Sequence, residues 1–393
     1  MSNSLLLTET CKFKLEPTEE QRKVLEELFS TYRSMVEECL KSAISMKITS
    51  RKRLHELIYR ELREKFRDYP SHYIHTAITM ALGMYKSYRR LSRRESNIKP
   101  PSIERLKAVL LDDTHLFWFN WGSLKIATHK GHLIIPLRLH EHAEKFKGWQ
   151  VKGSRIIVLG DEYYLHVTFR KVVEEREYEG VLGIDVNEKS IDLAVIKPDK
   201  VRFVKIDISE AKYIRDRYFK KRWSIQRKTR GKVKARLLAK YSKRERERVD
   251  AILHKASKIV AEIVAEEKVK PVMENLKNIR ERIKYGRRMN RRLHSMPFRK
   301  VQFSISYKSI ERGYKPEYVG TKNTSKMCPI CGELNKPNGH IYKCRKCGFQ
   351  ADRHFVAAWN IATKLQMCRP LPLAAKAINE ALTAKMERIV IKS

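Results

Sequence analysis

The chain has 393 residues, with 84 Lys or Arg against 45 Asp or Glu and a formal charge of +39. At 42% hydrophobic residues it can build real cores, which excludes a disordered tail or a collagen-like repeat, and about 150 residues per domain gives two or three domains. No apolar run approaches the roughly 18–20 residues that span a bilayer, and the polar start Met1-Ser2-Asn3-Ser4 lacks a signal-peptide n-region, so a soluble intracellular protein is expected. So large a positive charge repels itself unless an anion lies against it. Nucleic acid is the favoured partner over a membrane surface.

Cys11-Lys12-Phe13-Lys14-Leu15 alternates and reads as a strand. Pro17 and Thr18 open a helix, with Thr18 and Gln21 spaced as a capping box and Val24, Leu25, Leu28, Tyr32, Val36, Cys39 and Leu40 along one face. Further helices are predicted near 52–67 and 71–91, which makes residues 17–95 a small helical unit closed by Pro100-Pro101. Residues 106–178 switch to short β-like runs and predict an antiparallel sheet or barrel, with the first strand pairing back into it. Val181-Leu182-Gly183-Ile184-Asp185-Val186 is a buried strand with an acid near its end, followed after a short turn by a second strand, Ile191 to Ile196. Residues 211–250 hold 17 Lys or Arg against 4 acids, with Arg222, Trp223, Gln226, Arg227 and Lys228 placing an aromatic among cations. An amphipathic helix is predicted from Val249, then a short strand, Lys270 to Met273, ending at Glu274. Residues 280–300, including Arg287, Arg288, Arg291 and Arg292, carry nine more cations against one acid. Strands alternating with helices here predict an α/β core. The two basic stretches are read as phosphate-tracking surfaces, the alternative being solvated helix faces.

Seven cysteines form no even disulfide set, which points to a reducing compartment. Cys11, Cys39 and Cys368 are scattered. Cys328-x-x-Cys331 and Cys344-x-x-Cys347, twelve residues apart, supply four thiolates suited to one tetrahedral, structural Zn²⁺, with Gly332 and Gly348 allowing the tight backbone after each knuckle. Asp185, Glu274 and Asp352 are a second candidate set. Carboxylates converging from strand ends can hold Mg²⁺ for phosphodiester hydrolysis, although any one of them alone reads as easily as a turn or capping residue.

Gly183-Ile184-Asp185, the basic helix around Trp223, Leu253-His254-Lys255, Glu274-Asn275-Leu276, the two Cys-x-x-Cys knuckles, Asp352-Arg353 and Ala357-Ala358-x-Asn360-Ile361 occur in one order. That order resembles the TnpB (OrfB) family of insertion-sequence proteins, relatives of the type V CRISPR effectors, from about Lys12 onward. The resemblance implies a multidomain α/β protein. Residues 1–16 and 106–178 would form a β-barrel wedge domain carrying a helical recognition insertion at 17–105. Residues 179–327 and 349–393 would form a RuvC-like (RNase H-type) nuclease, and 328–348 a zinc ribbon that binds target nucleic acid. It also implies a transposon-associated, RNA-guided DNA endonuclease using Mg²⁺ or Mn²⁺, a guide RNA from the transposon end, target double-stranded DNA, no membrane partner, and a cytoplasmic, nucleoid-associated location; a homodimer stays open.

Asp185 and Glu274 match the family's first two catalytic acids. The family reads Asp-Arg-Asp where this chain has Asp352-Arg353-His354, so a histidine stands in the third place. Imidazole is a neutral donor that suits Mn²⁺ better than Mg²⁺. Either His354 ligates, or Asp352 reaches in from two residues away, or the site is impaired. The rival functions are therefore RNA-guided DNA binding without cutting, and a transposase accessory or general nucleic-acid-binding protein without a guide.

Overall fold

The computed structural model of the chain describes residues 4–95, 97–104, 106–282, 284–336, 339–365 and 387–391. It separates into two compact units, residues 8–171 and residues 172–393 together with the first seven.

In the first unit, β1 (Ser4–Leu15) leads into α1 (Glu19–Ser45), α2 (Arg51–Lys65) and α3 (His72–Ser92). Thr18 and Gln21 form the reciprocal capping box that the sequence predicts for α1. The chain then returns through β2 (Ala108–Leu111), β3 (Phe117–Asn120), β4 (Ser123–Thr128), β5 (Gly131–Arg138), a short 3₁₀ turn, β6 (Gln150–Leu159) and β7 (Glu162–Glu174). The seven strands run in the order β2-β6-β7-β1-β5-β4-β3, so the first strand does sit within the later sheet. Helices and sheet share one core: Leu28, Tyr32 and Met35 from α1 and Tyr73 and Ile78 from α3 join Phe13, Phe117, Leu165 and Phe169. Of the aromatics within 116–121, Phe117 is buried and Trp118 is exposed.

The second unit is an α/β layer structure. β8 (Gly180–Val186), β9 (Ser190–Ile196) and β10 (Val201–Asp207) form an antiparallel meander. After α4 (Ser209–Lys228) and α5 (Gly231–Glu266), β11 (Val269–Glu274) joins β8 in parallel. α6 (Ile279–Arg282), α7 (Arg287–Ser295) and α8 (Phe298–Glu311) follow, and β12 (Glu317–Val319) adds in parallel to β11. A two-stranded ribbon, β13 (Ile341–Lys343) and β14 (Gln350–Asp352), runs directly into α9 (Arg353–Thr363), and β15 (Glu387–Val390) pairs with the free edge of β10. The sheet order is β12-β11-β8-β9-β10-β15. The amphipathic helix expected from Val249 is longer than its apolar stripe: α5 starts at Gly231, its first four turns being basic and exposed. The nuclease segment expected over 349–393 includes residues 366–386, Cys368 among them, which lie outside the described residues.

Successive strand residues point to opposite faces, and that alternation divides the sheet's contacts. Leu182, Ile184, Ile191, Leu193, Val195, Val204 and Ile206 face one way, against Ile252, Val260, Val301 and Ile305 of α5 and α8. Val181, Ala194, Ile196 and Phe203 face the other, against Phe355, Ala358, Trp359 and Ala362 of α9 and against Cys328, Tyr342 and Cys344 of the ribbon. Asp185, Asp192 and Lys205 share the parity of this second face.

Candidate functional site

Three elements build the site. The β8–β9 hairpin closes with the Asn187 N–H donating to the Ser190 carbonyl at 2.8 Å, and its register sets Asp185 opposite Asp192. On the next strand Lys205 stands opposite Asp192, giving a row Asp185–Asp192–Lys205 across three strands. α9 crosses over this row because β8 has a glycine where the helix passes. A β-carbon at Gly183 would run into the Ala358 carbonyl and lie 2.9 Å from the Ala362 nitrogen. The close approach brings the start of α9 to the acids: His354 Nδ1 is 3.4 Å from Asp185 Oδ2, and about 12% of each side chain is exposed.

Asn187 Nδ2 donates to Asp185 Oδ2 at 2.7 Å and to Asp192 Oδ2 at 3.1 Å, and Ser190 Oγ donates to the same Asp192 oxygen at 2.5 Å. One donor from each of Asp185, Asp192 and His354 lies within 4.8 Å of the others. Burial works against a charged His354, but the hydrogen bond and charge of Asp185, with Asp192 and Asp352 behind, hold its pKa above the ordinary value. Burial also pushes the Asp192 carboxyl up, against the pull of Ser190 and Lys205.

Glu274 ends β11, whose register sets Met273 beside Ile184, so Glu274 and Asp185 finish neighbouring strands. Its carboxylate accepts from Thr324 Oγ1 at 2.5 Å, and burial, helped by the Asp185 charge, pushes its pKa up to about 7. Asn360 on α9 steadies that loop by donating to the carbonyls of Thr324 and Met327 at 2.7 and 2.8 Å. Glu274 does not join the 4.8 Å group of donors. Asp352 has both oxygens engaged: Oδ1 caps α9 by accepting the His354 N–H at 2.8 Å, and Oδ2 accepts from Lys205 Nζ at 3.1 Å. The sequence reading singled out Asp185, Glu274, Asp352 and His354 and missed Asp192. The available signal was an acid at each end of a six-residue hairpin span.

Cys328, Cys331, Cys344 and Cys347 come within 4.8 Å of one another, with Sγ···Sγ separations of 3.6 Å (328–347) and 3.5 Å (331–344). A tetrahedron with Zn–S bonds of about 2.3 Å has edges near 3.8 Å, so the donor set fits a zinc ion. Gly332 and Gly348 both take positive φ at the knuckles. Backbone N–H groups of Cys347 and Lys346 pull the Cys344 thiol down, while burial pushes the Cys328 thiol up.

The predicted nucleic-acid residues lie on α4 and α7. Trp223 is 53% exposed and Arg227 stacks over its ring at 4.6 Å, while Gln226 and Lys228 are exposed. Arg222 is half-buried in an ion pair with Glu245. On α7, Arg287 and Arg288 are exposed, and Arg291 lies 3.9 Å from the Phe219 ring of α4. Arg292 binds Glu188 in the β8–β9 turn at 2.8 Å, which ties the basic helix to the hairpin carrying Asp185.

Residues 298–361, from α8 through the cysteines into α9, match the family described as Cas12f1-like, TNB domain, and residues 28–127 match the Uncharacterized protein MJ0013 family. The chain is 36% identical over 262 residues to TnpB-like protein MJ0751 of Methanocaldococcus jannaschii, covering 64% of this chain and 94% of that one. It is 27% identical to TnpB-like protein aq_aa05 of Aquifex aeolicus (53% and 76% covered), and 27% identical to the CRISPR-associated endodeoxyribonuclease Cas12f2 of a Micrarchaeota archaeon (52% and 40%). Among solved structures, a Cas12f1–sgRNA–target DNA complex aligns at TM-score 0.39 and 18% identity, over 91% of this chain and 99% of that one.

Proposed function

The chain belongs to the TnpB-like family, and from that premise we propose that it is a transposon-associated, RNA-guided DNA endonuclease acting at the nucleoid of a prokaryotic cell. The observation that carries the proposal is the meeting of Asp185 and His354 at 3.4 Å, across 169 residues of sequence, in a chain of net charge +39. Residues 179–327 and 349–393 act in this reading as a RuvC-like nuclease, 328–348 as the zinc-held insertion, residues 1–16 and 106–178 as the wedge and 17–105 as the recognition part.

Asp185 and Glu274, with His354 at the third position, would hold Mg²⁺ or Mn²⁺; beside them Oδ1 of Asp192, which accepts no hydrogen bond and has Lys205 Nζ at 3.4 Å, is a fit for a cation. Divalent metal held by these residues would supply the Lewis-acid charge that phosphodiester hydrolysis needs. The protein's own contribution is to fix the donors. Asn187 orients Asp185, Thr324 holds Glu274, and the Asp352 cap sets the first turn of α9 and hence the His354 ring. Lys228, Arg287 and Arg288 track phosphates while base pairing reads sequence, and Trp223 offers a stacking face.

The test is to purify the full chain with its RNA, sequence that RNA, and incubate the complex with a matching plasmid and Mg²⁺ or Mn²⁺. A defined co-purified RNA and linear product that disappears in Asp185→Ala support the proposal; random cellular RNA overturns the guide. A second reading, guided binding without cutting, rests on His354 standing where an acid is expected. Protection of the matched site with no product would support it.

A further inference from the structure

His354 leaves the site one carboxylate short, and the two flanking acids do not make up the difference. Asp352 has one oxygen on the His354 N–H and the other on Lys205, and Glu274 stands outside the 4.8 Å group. Asp192 is different. It faces Asp185 directly across β8–β9, a pairing that sets side chains about 5 Å apart. It is fully buried, its Oδ2 is saturated by Ser190 and Asn187, and its Oδ1 accepts no hydrogen bond. The cation nearest that oxygen is Lys205 Nζ at 3.4 Å, which is shared with Asp352. Two carboxylates at this distance repel in a low-dielectric setting unless a cation lies between them.

We propose that Asp192, with Asp185 and His354, completes the divalent-cation site of this chain, supplying on β9 the carboxylate that position 354 lacks. The close donor set is then two carboxylates and one imidazole, with Glu274 at the neighbouring strand end approaching from outside the 4.8 Å group, and it suits Mn²⁺ over Mg²⁺. Lys205, with its Nζ 3.4 Å from Asp192 Oδ1, competes with the ion for that oxygen.

The inference deepens the nuclease reading and rests on it only for what the ion does, because binding can be measured without nucleic acid. Mn²⁺ is titrated by calorimetry into the full, zinc-loaded chain, wild type against Asp192→Asn, Asp352→Asn and the double variant Asp192→Asn/His354→Asp. Asp192→Asn, which keeps the side chain's shape, is expected to weaken Mn²⁺ binding at least about tenfold, Asp352→Asn to change it less than about threefold, and the double variant to regain most of the loss. Should Asp192→Asn fail to fold, Lys205→Met decides, and tighter Mn²⁺ binding is expected. A folded Asp192→Asn that binds Mn²⁺ like wild type overturns the inference. So does an equal loss in Asp352→Asn, a double variant without rescue, Lys205→Met without gain, or a wild type that binds no Mn²⁺. A chain that binds Mn²⁺ through Asp192 yet never cuts guided DNA upholds the inference and counts against the nuclease reading alone.

Discussion

Gly183 shows how one missing side chain sets the site. With the Ala358 carbonyl where a β-carbon would go, Gly183→Ala has to push α9 off β8, and the obstacle is backbone that cannot rotate away. Overpacking of this kind costs about 1–3 kcal/mol or more, whereas Gly286→Ala, with open space around it, stays within about 0.5 kcal/mol; urea midpoints of the two variants check the contrast. Glu267 holds the other end of the sheet. Its buried carboxylate accepts from Lys200 at 3.0 Å and Arg202 at 2.9 Å. Burial opposes the charge, but these cations hold its pKa below the ordinary 4.5. The folded value being the lower one, its contribution is fully present above pH 4.5 and is lost as pH falls through the folded value. Glu267→Gln is therefore expected to cost about 1–3 kcal/mol at neutral pH and progressively less in acid, read from unfolding curves of both proteins across pH.

The knuckle cysteines, the ribbon and α9 form one continuous device among the elements. β14 ends at Asp352, and the same residue caps the helix that presents His354, so whatever holds the ribbon also holds the end of α9 that faces Asp185. Elemental analysis is expected to find one zinc ion per wild-type chain and none in Cys331→Ser. The substitution should raise hydrogen exchange across 341–343 and 350–352 while β8 and β9 stay protected; full zinc occupancy in that variant would contradict the assignment. This is also the scale at which sequence patterns were most informative. The cysteine spacing, the apolar run ending at Asp185 and the capping box at Thr18 are local signals, each readable within twenty residues. Asp192 was missed because its meaning depends on hairpin register, and the double engagement of Asp352 because Lys205 comes from 147 residues away. The shared core of α1–α3 and the seven-stranded sheet likewise depends on non-local packing that no periodicity reports.

Over the whole molecule the net charge of +39 predicts steep salt dependence. Each phosphate contact contributes about −0.9 to the slope of log affinity against log salt on duplex DNA, so Arg287→Glu/Arg288→Glu is expected to flatten that slope by about two while leaving the fold's melting temperature unchanged. No helix among the described residues is long and apolar enough to cross a membrane. The most direct test of the account exchanges the targeting portion of the co-purified RNA and maps the cut with Mn²⁺ on a plasmid carrying both the old and the new matching sites. The account predicts that cleavage moves to the new site and disappears in Asp185→Ala. A cut that stays where it was, or one that Asp185→Ala leaves intact, would contradict it.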